Sequence, residues 1–262
     1  MHGAEQARSD INAVLSLLVE HELLALPPSY AIRREVGPHR QVTWPASPRD
    51  TLRGKFGQFA TLSEYRSLVE NRQYNAVLRD GSMLMLSYQF SATGELEGHN
   101  LYYYPCPLDI ERESDEGDGE TPPDTDGDDL TFIDRFDRLL EDELKCALLE
   151  TDIYEDTCVS RFLMRAPLRF DYAPDHAAAS HAASHVHVAH PECRIPVFGP
   201  ISVGHFVRFV FDNYYPGWTD LCGGFADVPD RDYGRELLDS HRGVFHIEWL
   251  TEAQRRQEGL AG

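Results

Sequence analysis

Apolar positions along this chain change period several times, and each change predicts an element. Ile11, Val14, Leu15, Leu18 and Leu23 fall at helical spacing between Ser9 and Ala25, and Pro27-Pro28 ends the pattern. Tyr30 to Val36 and Gln41 to Trp44 are β-prone pieces about a Gly37-Pro38 turn. Thr61-Leu62-Ser63-Glu64 has the form of a capping box and opens a second helix to about Asn71. From Tyr74 to Tyr104 the period drops to two. Leu84, Leu86, Tyr88 and Phe90 alternate with Met85, Ser87 and Gln89, Asp80-Gly81 signals a hairpin turn, and a turn near Thr93-Gly94 leads into Leu101 to Tyr104. Three antiparallel strands in a meander follow from this spacing.

Helical spacing returns in Leu130, Ile133, Phe136, Leu140, Leu144, Ala147 and Leu148, which predicts a long helix from Thr131 to Glu150 packed on the sheet. Strands are expected near Val159 to Met164, Leu168 to Tyr172 and His185 to Val188. A helix from Ser202 carries Phe206, Phe209, Val210 and Tyr214, a short one spans Arg231 to Ser240, and Gly243 to Leu250 reads as a final strand. The fold class expected is α+β, a large antiparallel sheet flanked by helices, in a single domain over residues 1–262.

Charge changes this picture in one place. The net charge is −20, and 11 acidic residues against one Arg between Asp109 and Asp129 account for half of it. That stretch is too polar to fold alone and reads as a disordered acidic insertion at 109–129. The remainder still disfavours duplex binding through a broad basic face, though it leaves room for a small basic cleft around Arg161, Arg165, Arg169 and Arg194. Five widely spaced cysteines without a Cys-x-x-Cys pair, no apolar signal segment and no run long enough to cross a bilayer point to a reduced, cytoplasmic protein with no membrane role.

The candidate chemistry lies between Asp175 and His190, which hold five of the 12 histidines. Imidazole titrates nearest neutrality and is the commonest metal ligand, so its concentration points to proton transfer, metal binding or both. Alternate residues of a strand share a face. Arg169 and Asp171 therefore oppose Leu168, Phe170 and Tyr172; His185 and His187 oppose Val186 and Val188; His246 and Glu248 oppose Phe245, Ile247 and Trp249. If these strands are neighbours, one face gathers all six polar groups. Such a face admits a divalent metal, zinc, manganese or iron, held by His185, His187, His246 and Glu248. It equally admits acid/base work by His185 and His187 with Asp171, while Arg169 or Arg194 neutralises a phosphoryl group. A solvated strand face is the plain alternative. His176 and His181, among alanines and serines, read as exposed loop residues. His205, Arg208 and Asp212 lie on one face of the helix from Ser202 and either meet the same cleft or face solvent. Cys193 beside Arg194 reads as a buried structural thiol rather than a nucleophile.

Tyr88-Gln89-Phe90, Leu101 to Pro107, Arg169-Phe170-Asp171-Tyr172, Ser184-His185-Val186-His187, and Cys193-Arg194-Ile195-Pro196 followed by His205 to Phe209 together resemble an uncharacterised bacterial family of domains of unknown function, over roughly residues 60 to 216. The resemblance implies a bacterial, cytoplasmic, single-domain protein and no particular activity. About 20 residues are also similar to small toxins of bacterial toxin–antitoxin pairs, which place an Arg-x-Asp strand before a His-x-His strand. That similarity implies a nuclease-like effector, a ribonuclease in a defence or toxin–antitoxin system, acting on RNA or single-stranded nucleic acid. A protein of the same operon is the partner expected. The competing reading is a non-catalytic sensor or scaffold that binds another protein through its aromatic sheet or acidic loop.

Overall fold

The computed structural model describes residues 3–45, 62–110, 129–149, 163, 165–178, 181–234 and 237–249. The first helix, α1 (Gly3–Glu20), begins earlier than the sequence suggested because Ala4 and Ala7 extend the buried stripe of Ile11, Val14, Leu15 and Leu18 by more than a turn. It stops before the prolines, and Glu22 at a φ of 53° turns the chain out of the helix. Strands β1 (Ile32–Val36) and β2 (His39–Thr43) form the hairpin about Gly37. Helix α2 (Leu62–Glu70) is followed by β3 (Ala76–Val77), β4 (Met83–Phe90) and β5 (Leu96–Tyr104), the expected meander. Thr61, the expected cap of α2, and the acidic stretch from 111 to 128 lie outside the described residues.

After α3 (Asp129–Leu149) come β6 (Leu168–Tyr172), a 3-10 turn at Pro174–His176, β7 (Ser184–Val188) and β8 (Arg194–Pro196). Helix α4 (Val203–Tyr214) follows, then the short α5 (Pro216–Thr219) and α6 (Asp239–Arg242). Most of the strand expected at Val159 to Met164 falls on residues not described. The helix expected from Arg231 shrinks to α6. From Gly243 to Trp249 the described residues add no ladder strand; one parallel bridge joins Ile247 to Val197, past the edge of β8.

All ladder pairs are antiparallel, in the order β1-β2-β4-β5-β6-β7-β8, with β3 on the edge of β4 that β2 also uses. The fold is thus α+β, an eight-stranded antiparallel sheet with helices against it. One face carries Leu84, Leu86, Tyr88, Phe90, Leu101, Tyr103, Phe170 and Val186, buried under α1 and α4. The opposite face is divided. Met83, Met85 and Tyr104 pack beneath Tyr65 and Leu68 of α2 and Ile133 and Phe136 of α3. Further along β4 the same face turns polar, from Met85 to Ser87 to Gln89, and the helices no longer cover it.

Candidate functional site

Register decides which side chains meet on the divided face. Ladder partners across β4, β5, β6, β7 and β8 run Met85–Tyr102–Arg169–His187–Arg194 on one rung and Ser87–Asn100–Asp171–His185–Pro196 on the next. A carboxylate and a guanidinium on β6 therefore sit beside two imidazoles on β7 because the strands pair directly, with Asp171 opposite His185 and Arg169 opposite His187.

The side chains converge. His185 Nε2 lies 3.0 Å from His187 Nε2. Asp171 Oδ2 stands 3.2 Å from His187 Nε2 and 3.7 Å from His185 Nε2. All three residues are buried, with Asp171, the most open, only 8% exposed. Arg169 Nε approaches the same carboxylate oxygen to 2.7 Å, while its Nη1 donates to the Tyr102 hydroxyl. Asn100 Nδ2 donates to Asp171 Oδ1 at 2.8 Å. Thus Asp171 is anchored from both sides.

Protonation follows from these partners. Burial pushes His185 down to about 4, against the pull of the Asp171 charge, so the ring is neutral near pH 7. Its Nδ1 donates to the Ala182 carbonyl at 2.9 Å, which leaves Nε2 as the lone-pair nitrogen aimed at His187 and Asp171. Burial alone would raise the Asp171 carboxyl, but the hydrogen bond from His187 and the Arg169 charge outweigh it and hold the group ionised. Burial and the Arg194 charge lower His181.

Once a metal displaces the proton that His187 shares with Asp171, two imidazole nitrogens and one carboxylate oxygen form a donor set for a divalent cation. Ligands about 2.0–2.1 Å from a tetrahedral zinc stand roughly 3.4 Å apart, close to the three separations found here. Asp171, His185 and His187 are the group that brings ligand atoms within 4.8 Å of one another among the described residues. His246 and Glu248 do not belong to it. The sequence joined them to the cluster on the condition that their strand adjoined it, whereas β8 intervenes and His246 Nδ1 donates to the Val244 carbonyl in its own turn.

Arg194 is the cross-strand partner of His187, but its guanidinium reaches outward to Glu192 at 3.3 Å. Arg165 is bound to Asp80 at 2.6 Å, so it does not build a basic cleft with Arg169. His205 and Arg208 lie across the sheet from the cluster: α4 packs on Phe170, whose ring points away from Asp171, and both residues bond to Asp230 or its surroundings. Asp212 is exposed, and so is Cys193, contrary to the buried thiol expected.

Three participants escaped the sequence. Asn100 and Tyr102 had a readable period-two signal but needed the β5–β6 pairing to matter. His181, expected in solvent, is half-buried with its ring centroid 4.7 Å from that of His185. An antiparallel bridge joins Ala178 to His181 shortly before β7.

A family model described as an uncharacterized conserved protein, DUF2290, matches residues 28–249, which include the whole cluster. No curated protein and no solved structure matches the chain.

Proposed function

The chain belongs to the DUF2290 family, and from that premise we propose that it is a metal-dependent hydrolase of phosphodiester bonds, with single-stranded RNA as the substrate class. The observation that carries this is the convergence of the buried His185 Nε2, His187 Nε2 and Asp171 Oδ2 beside Arg169. A bound zinc, manganese or iron would supply a hydroxide at neutral pH and polarise the phosphoryl oxygen. Arg169 contributes the fixed positive charge that the developing phosphorane requires, and Tyr102 and Asp171 hold its planar fork in place. Asn100 fixes the carboxylate so that Oδ2 faces the imidazoles.

Metal binding is favoured over purely acid/base work by the 3.0 Å between the imidazole nitrogens. An acid and a base that act in line must flank the phosphorus, and nitrogens in mutual contact leave no space for it. Such an activity suits an effector of a defence or toxin–antitoxin system, restrained by a protein encoded beside it.

The test uses the full chain. Purified protein is expected to hold about one divalent ion and to cleave labelled single-stranded RNA in a chelator-sensitive manner. A His185→Ala, His187→Ala double variant with an unchanged circular dichroism spectrum should lose metal and at least 100-fold of that cleavage. Undiminished cleavage by the double variant, or RNA left intact by the metal-loaded protein, would defeat the proposal.

A further inference from the structure

Next to the cluster, on the same face of the sheet, lies an open groove of about 230 Å³. Its rung is the one after Ser87–Asn100–Asp171–His185: Gln41 pairs with Gln89, and Gln89 with Gly98. With a rung spacing near 7 Å and a strand spacing near 4.8 Å, Gly98 stands about 8 Å from Asp171 and Gln89 about 12 Å. Asn100 belongs to both places, since it lines the groove and donates to Asp171 Oδ1.

Gly98 keeps the floor low. A Cβ there would meet the Tyr172 carbonyl at 3.1 Å, with no other contact within 4 Å, so any larger side chain would project into the groove. The walls are hydrogen-bonding, with the imidazoles of His99 and His176 beside amides, a hydroxyl and carboxylates. Gln41, Gln89, Asn100 and Ser87 offer amides and a hydroxyl, Glu97 and Asp175 offer carboxylates, and His39 holds Glu97 at 2.6 Å. Among the described residues no Lys or Arg lines it.

That lining rejects a phosphate and suits the neutral part of a nucleotide. Side-chain amides pair with the donor and acceptor edge of a base, and carboxylates accept hydrogen bonds from ribose hydroxyls. We propose that this groove binds the ribonucleoside attached to the phosphate under attack, with the base against Gln41 and Gln89 and the ribose hydroxyls towards Glu97 or Asp175. This rests on the hydrolase reading above for its context, but binding itself needs no catalysis. The division of labour follows the charge: phosphate beside Arg169, sugar and base in the polar groove. Reading of the 2′-hydroxyl would make the site one for RNA rather than DNA.

The full chain is titrated calorimetrically, first without metal, with adenosine, uridine, cytidine and guanosine, and in parallel with their 2′-deoxy forms, free ribose and inorganic phosphate. At least one ribonucleoside should bind, at least fivefold more tightly than its deoxy form. Gln89→Ala, at an exposed position, and Gly98→Val should each weaken that binding at least tenfold while zinc titration of the cluster is unchanged. Absence of ribonucleoside binding, binding indifferent to Gln89→Ala, or ribose alone binding equally well would overturn the assignment. If ribonucleosides bind as expected but the cluster takes no metal, the hydrolase reading fails and the groove assignment stands.

Discussion

Asp171 shows how much one buried side chain organises. It is paired with Arg169, accepts from Asn100 and faces both imidazoles. Truncating one partner of a buried ion pair leaves the other charge uncompensated, at about 3–5 kcal/mol, whereas losing one hydrogen bond costs about 1 kcal/mol. Urea unfolding should therefore show Asp171→Ala to be several-fold more damaging than Asn100→Ala; equal losses would mean that Arg169 is well solvated without its partner. A second residue-scale expectation concerns pH. Burial pushes both His99 and His185 down from 6.5 to about 4, and His99 is further committed by accepting from Ile201 N–H and donating to the Phe170 carbonyl. Between those values the unfolded chain gains protons that the folded chain refuses. Stability is thus full above about pH 6.5 and falls as pH drops towards 4, by at most about 1.4 kcal/mol per unit for each ring. Unfolding midpoints unchanged from pH 7 to pH 5 would contradict this.

At the scale of elements, α4 illustrates local rules agreeing with global need. Ser202 was legible as the start of a helix, and its hydroxyl accepts from His205 N–H as the cap while also touching the His205 ring. The helix then lays Phe206, Val207, Val210 and Phe211 on the apolar sheet face. Ser202→Ala should cost about 1 kcal/mol by chemical denaturation and leave metal binding intact, because the sheet separates α4 from the cluster. The strands were equally legible in kind: the alternation at Met83–Phe90, Leu168–Tyr172 and Ser184–Val188 set their faces correctly. The segment from Gly243 was not, since Phe245, Ile247 and Trp249 alternate like a strand yet form a single bridge. Ile247 and Trp249 reach the main core from beyond β8, so burial of two side chains, rather than a ladder, explains the pattern.

For the whole molecule, the cluster links folding to ligand. A cation that binds the folded chain alone, at about 100 times its dissociation constant, adds about 2.7 kcal/mol. For a protein of this size that raises the melting temperature by about 5–10 °C. Zinc or manganese should produce such a shift, EDTA should reverse it, and His187→Ala should abolish it; calorimetric scans in which all three samples melt together would remove the metal centre. No helix among the described residues is long and apolar enough to cross a membrane.

Period and composition alone set the type of most elements, the α+β class and the facing of Arg169, Asp171, His185 and His187, because side-chain direction in a strand is a local property of the backbone. Which strands touch is not local. Only the folded sheet brought β6 against β7 and so joined Asp171 to His185 and His187, recruited Asn100, Tyr102 and His181, and put β8 between this cluster and His246 and Glu248. Strand order is chosen by the burial of the entire apolar face under α1 and α4, a sum over residues far apart in the chain that no single window of sequence contains.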